Sequence, residues 1–128
     1  MPSPVIFLAE DDPVIALDLS AGLADENLRV KVVSNPEDLP DLCAKKRPDG
    51  VILNYYGPIM QDYLPLARLL SQKYNVPILI VTGARRLDIR IGALPFEILH
   101  KPFTPEQLRK CLSKWNMQVQ ASLKVLRY

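Results

Sequence analysis

The sequence predicts an α/β domain: a doubly wound, five-stranded parallel sheet in the order 2-1-3-4-5. Three observations carry this expectation. Short apolar runs recur along the chain at residues 5–9, 30–33 (broken by Lys31), 51–53, 78–81 and 96–99 (broken by Glu97). The three uninterrupted runs are continuous rather than alternating, which marks strands buried on both faces and hence a parallel sheet covered by helices. Helix-start signals fall between the runs, so the order is β-α repeated five times. Such repeats form open sheets with right-handed crossovers and a crevice outside the carboxyl ends of the first and third strands.

Each helix has its own signal. Asp12-Pro13 places a capping carboxylate before a proline at the first helical position, and Val14, Leu17, Ala21 and Ala24 follow at helical spacing. Ser34-Asn35-Pro36-Glu37 opens a second helix carrying Leu39, Leu42 and Cys43 on its apolar side. The third spans residues 63–74, with Pro65 in its first turn and Leu66, Leu69 and Leu70 as its stripe. Between Thr82 and Phe96, the breakers Gly83, Gly92 and Pro95 leave room for at most a short helix near 87–91. Thr104-Pro105-Glu106-Gln107 is a capping-box signature, followed by an apolar face of Leu108, Cys111, Leu112, Trp115 and Val119.

Composition narrows the function. The chain has 128 residues, 48% hydrophobic and 23% charged, as expected of one globular domain over 1–128 with no room for a second. The formal net charge of +2 is too small to imply nucleic-acid or membrane binding. Cys43 and Cys111 lack metal-ligand spacing and read as reduced thiols. Residues 5–9 are too short an apolar run for a signal peptide or membrane span, so a cytoplasmic location is expected.

The polar residues at the strand ends carry the chemistry. Glu10, Asp11 and Asp12 follow the first strand, Asn54 the third, Thr82 the fourth, and His100 and Lys101 the fifth. In the predicted sheet all lie on the carboxyl edge. Paired acids with a nearby carbonyl oxygen suit a hard cation such as Mg²⁺, and an ammonium with a hydroxyl suits phosphoryl oxygens. Singly, these residues have plainer readings: Asp12 as a helix cap, Lys101 and His100 as surface residues, Tyr55 and Tyr56 as loop packing.

Glu10-Asp11, "PDGVILN", "ILIVTG" and "HKPFTPEQL", in that order, resemble the receiver domain of bacterial two-component response regulators, a CheY-like, flavodoxin-like fold. The similarity runs from Val5 to about Leu123 and is greatest to single-domain receivers with a short or remodelled fourth helix. The resemblance implies Asp11 as direct Mg²⁺ ligand, Glu10 as its helper and the Tyr56 backbone carbonyl as a further ligand. It implies Thr82 and Lys101 as phosphate sensors and a cis Lys101-Pro102 bond. A histidine kinase, a phosphotransfer protein or an output protein is the implied partner.

Two residues depart from that pattern. Asn54 stands where receivers place the aspartate that takes the phosphoryl group. A neutral carboxamide oxygen is a poor nucleophile, so ordinary phosphotransfer is expected to fail. Glu10, Asp11 and Asn54 carry −2 rather than −3, so any Mg²⁺ site, with Tyr56 included, is expected to be weak or absent. Relieved repulsion is expected to favour the cation-free fold. Ile98 occupies the usual aromatic switch position and reads as a buried strand residue.

The expectation is a phosphorylation-incompetent pseudo-receiver, not an enzyme, acting in phosphorelay signal transduction through protein–protein contact. One alternative is an ordinary phosphoacceptor receiver with an engineered Asp-to-Asn change. A remote one is a flavin- or nucleotide-binding domain, disfavoured because Glu10-Asp11-Asp12-Pro13 would repel phosphate. The tail 115–128 reads either as a solvated helix end or as a face for a homodimer or partner.

Overall fold

The computed structural model describes residues 4–24, 28–55, 64–83 and 97–115. Five strands form one parallel sheet: β1 (Val5–Ala9), β2 (Arg29–Val33), β3 (Gly50–Tyr55), β4 (Ile78–Thr82) and β5 (Glu97–His100). Their order is β2-β1-β3-β4-β5, as the sequence predicts. Four helices belong to the described residues: α1 (Pro13–Ala24), α2 (Leu39–Lys45), α3 (Leu64–Tyr74) and α4 (Pro105–Ser113). A 3₁₀ turn, Pro36–Asp38, leads into α2, and the Asn35 side chain caps it by accepting from the Glu37 N–H at 3.1 Å. The expected short helix near 87–91 and start of α3 at residue 63, together with Phe96 and Val119, lie outside the described residues.

Two apolar layers sandwich the sheet. Phe7, Val51, Leu53, Ile78 and Ile80 pack with Leu39, Cys43, Ala67 and Leu70 of α2 and α3. Ile6, Leu8, Ile52, Leu79, Val81 and Leu99 pack with Leu23 of α1 and with Leu108 and Leu112 of α4. Strands β1, β3 and β4 are thus covered on both faces, which explains their unbroken apolar runs. β2 is different: Arg29, Lys31 and Val32 are exposed and only Val33 is buried. It is an outer strand, and Lys31 interrupts its run because the α2 side of β2 is uncovered there, while Val33 further along that side packs with Leu39 and Cys43.

The helix faces correct two expectations. In α1 the anticipated stripe of Val14, Leu17, Ala21 and Ala24 is exposed; Ala16 and Leu23 face the sheet. α1 is apolar on every side, so spacing alone cannot select the buried face. In α3 the residues that reach the core are Leu64, Ala67 and Leu70, while Leu69 is 42% exposed and Leu66 only half-buried. A small side chain, Ala67, lets the helix axis approach the sheet, a choice that a search for large aliphatics overlooks. α4 matches its expected face at Leu108 and Leu112, with Cys111 and Trp115 partly buried. Its capping box is complete: Thr104 Oγ1 accepts from the Gln107 N–H at 3.2 Å and Gln107 Oε1 from the Thr104 N–H at 2.8 Å. The turn after α3 places Asn75 at φ 52°, a left-handed conformation that asparagine tolerates.

Candidate functional site

The carboxyl edge of the sheet gathers the polar residues. The strand after Leu53 does not stop at the amide: β3 continues through Asn54 and Tyr55. Ala9 pairs with Leu53, so Glu10 begins the row that Asn54 occupies. Asn54 pairs with Val81, and Val81 with Leu99, which places Lys101 two residues further along β5's line on the same side as Asn54.

Both Glu10 and Asn54 are 2% exposed, so each needs a partner. They bond to each other: Asn54 Nδ2 donates to Glu10 Oε1. The other Glu10 oxygen, Oε2, accepts the Asp12 N–H at 3.0 Å. On the opposite side of the amide, Lys101 Nζ donates to Asn54 Oδ1 at 2.9 Å. These contacts fix the orientation of the carboxamide. Flipped, its NH₂ would meet the lysine ammonium and its oxygen would meet the glutamate, two repulsive pairings in place of two attractive ones.

The remaining residues divide. Asp12 is exposed and caps α1, its Oδ1 accepting from Val14 N–H at 2.9 Å and Ile15 N–H at 3.3 Å. Asp11 is exposed at the pocket rim. Thr82 is fully buried but pairs with Tyr55 and His100, one row beyond Asn54 and of opposite side-chain parity. Its carbonyl accepts the Lys101 N–H at 2.8 Å, so its backbone holds the base of the lysine. Ile98 and His100 are half-buried in β5, Ile98 against the α2/α3 layer. The Lys101–Pro102 bond is cis, as the resemblance implies. Tyr56, expected to lend a carbonyl to a cation, lies outside the described residues.

A cation needs the Asn54 oxygen turned toward Glu10 and Asp11, whereas the amide presents its hydrogens to Glu10 and its oxygen to Lys101. No cluster of three or more His, Cys, Asp or Glu side chains suited to a metal occurs among the described residues. As arranged, the Asn54 amide turns its hydrogens, not its oxygen, toward the carboxylate a cation would share.

One surface is not foreseen by helical spacing. Val14 and Leu17 are 75% and 71% exposed, on the first turns of α1 directly beyond Asp12. The signal available in the sequence is a surplus: Val14, Ile15, Ala16, Leu17, Leu19, Ala21, Leu23 and Ala24 are more apolar residues than one buried stripe can use.

Comparison with known proteins agrees with this architecture. The response regulator receiver domain family matches residues 6–113, and the chain belongs to that family. It is 27% identical to the response regulator MprA of Mycolicibacterium vanbaalenii over 106 residues, covering 80% of this chain and 46% of the relative. It is 28% identical to a probable C4-dicarboxylate response regulator, DctR, of Bacillus subtilis, covering 90% of this chain and 53% of the relative. The chain thus spans about half the length of the curated relatives it matches. Among solved structures, a response regulator receiver protein from Sinorhizobium medicae superimposes with a TM-score of 0.76 at 27% identity, covering 94% of this chain and 97% of that one. The receiver domain of a sensor histidine kinase from Pseudomonas aeruginosa, with magnesium coordinated in its active-site cleft, gives a TM-score of 0.73 at 25% identity, covering 88% and 97%. Among the described residues no helix is long and apolar enough to cross a membrane.

Proposed function

We propose that this receiver works without phosphorylation and without Mg²⁺, as a protein-interaction module of a two-component phosphorelay. The observation that carries the reading is the Glu10–Asn54–Lys101 chain of hydrogen bonds. The neutral amide occupies the position of the attacking carboxylate. Its hydrogens satisfy the buried glutamate that a cation would otherwise neutralise. Its oxygen engages the lysine that would otherwise meet a phosphoryl group. The pocket is therefore held in one arrangement by its own side chains.

The partner in this reading is a histidine kinase, a phosphotransfer protein or an output protein. Val14 and Leu17 support it: they are exposed and line one cleft with Lys101, where a packed helical partner would remove them from water. Burying two aliphatic side chains of this size contributes about 1.5–3 kcal/mol each at most.

Incubation with acetyl phosphate and Mg²⁺, followed by intact mass measurement, tests the reading. An unmodified mass is expected. A stoichiometric, acid-labile phosphoryl adduct would overturn it.

A further inference from the structure

The opposite end of the sheet carries a second feature, independent of the Asn54 pocket and of the function proposed for it. α2 is only seven residues long and its buried residues, Leu39 and Cys43, pack in the layer shared with α3. The same face of β2 is buried at Val33 but left open at Arg29 and Lys31. Arg29 and Lys31 pair in register with Val5 and Phe7, so all four side chains share that face. Lys31 Nζ lies 5.9 Å from the centre of the Phe7 ring. Facing them across a groove of ≈ 550 Å³ are Lys45 and Lys46 at the end of α2.

The groove is charged on its walls and apolar on its floor, where Val5, Phe7, Leu42 and Pro48 lie. Two charged residues there are committed to the fold. Arg47 donates to the carbonyls of Tyr74, at 3.0 Å, and of Asn75, and Asp49 accepts the Val5 N–H at 2.8 Å. Arg29, Lys31, Lys45 and Lys46 are exposed, and among the described residues their side chains make no hydrogen bond or ion pair. Four cations converge on one cleft in a chain whose whole net charge is +2. An anionic occupant would relieve their mutual repulsion.

We propose that this groove docks an acidic, extended segment of a partner protein, with carboxylates alternating with aliphatic side chains. Charge complementarity supplies the acidic component. The Val5–Phe7–Leu42 floor supplies the aliphatic one, for which a nucleic-acid backbone has no counterpart. A segment lying along the groove can rest its aliphatic side chains on the floor and turn its carboxylates to the exposed cations, which share that side of the sheet.

The test uses fluorescence anisotropy with a labelled peptide of alternating Glu and Leu, about ten residues long, against the same peptide with Gln for Glu. The Glu peptide is expected to bind and to weaken at least about tenfold between about 50 mM and about 500 mM salt. Lys45→Glu/Lys46→Glu and Arg29→Glu/Lys31→Glu are each expected to weaken it by about tenfold or more. Lys45→Gln/Lys46→Gln, a milder change at exposed positions, should give an intermediate loss with an unchanged thermal melt. Equal binding of the Glu and Gln peptides, or unchanged binding by the charge-reversed variants, would overturn the proposal. So would preference for duplex DNA or for phosphatidylserine vesicles presented at the same salt.

Discussion

Substituting Asn54→Asp places a second carboxylate against the buried Glu10 and removes the amide hydrogens that Glu10 accepts. Losing that charge-assisted bond costs about 1.5–3 kcal/mol. Two Coulomb effects act in addition. At about 3 Å and an effective dielectric near 20, the new charge is repelled by Glu10 by about 5–6 kcal/mol. It is attracted to Lys101 by a similar amount, since that nitrogen is 2.9 Å from Oδ1, the two contributions being of the order of 332/(20 × 2.9) kcal/mol. They nearly cancel, but Lys101 is exposed and screened while Glu10 is buried. The net loss without metal should therefore be about 2–4 kcal/mol, a fall of about 1–2 M in a urea midpoint. Mg²⁺ should reverse part of it, because the introduced carboxylate then converges with those of Glu10 and Asp11, three charges in all. For a dissociation constant of about 1 mM, about 10 mM Mg²⁺ returns about 1.4 kcal/mol. The assay is urea denaturation of both proteins in EDTA and in Mg²⁺, with the parent chain expected to be indifferent to the ion. An Asn54→Asp variant as stable as the parent in EDTA, or a parent stabilised by Mg²⁺ as much as the variant, would refute the reasoning.

Three further outcomes follow from the packing. A Cβ added at Gly50 would overlap the Cε3 and Cζ3 atoms of Trp115 and sit 3.2 Å from its Cδ2, so Gly50→Ala should cost about 1–3 kcal/mol and alter the emission of the sole tryptophan; unchanged stability and fluorescence would count against this contact. Thr104→Ala removes the α4 cap and should lower stability by about 1 kcal/mol, read as a melting-temperature drop of about 2–8 °C by circular dichroism. Burial pushes the Cys43 thiol pKa above its ordinary value, against the opposing pull of Arg47; burial, then Glu97, raises that of Cys111 against Lys114. The folded state then holds these protons more tightly than the unfolded chain. Their stabilising contribution should be complete below the unfolded thiol pKa and be lost as pH rises through the folded one, and alkylation near neutral pH should be slow, with buried Cys43 the slower.

How far these features can be read from the sequence depends on what each residue faces. β1 and β4 are legible with little error because uninterrupted apolar runs occur only where both faces are covered, as at Leu8 and Ile80. Thr104-Pro105-Glu106-Gln107 is equally legible, since capping is a local exchange of hydrogen bonds. The inner face of α1 is not, because a helix apolar all round offers several equivalent stripes and only the sheet selects Ala16 and Leu23. At the site, Glu10, Asn54 and Lys101 are all identified by their place after strands. What sequence reasoning misses is the part the amide hydrogens play: it weighs Asn54 by the oxygen it keeps, while its donors hold Glu10. Thr82 is identified too, but only the strand register reveals that it lies in a different row.

The self-satisfied Glu10–Asn54–Lys101 chain also bears on how such a protein could carry information. A phosphorylated receiver is read through the fraction of molecules modified, a quantity that a kinase can change within its turnover time. Under the proposed reading, a pocket closed by its own side chains offers no such fraction. On the function proposed for this chain, the remaining variable is copy number. Occupancy of a shared partner would follow the ratio of this protein to its competitors by mass action, responding at the pace of synthesis and dilution rather than of phosphotransfer.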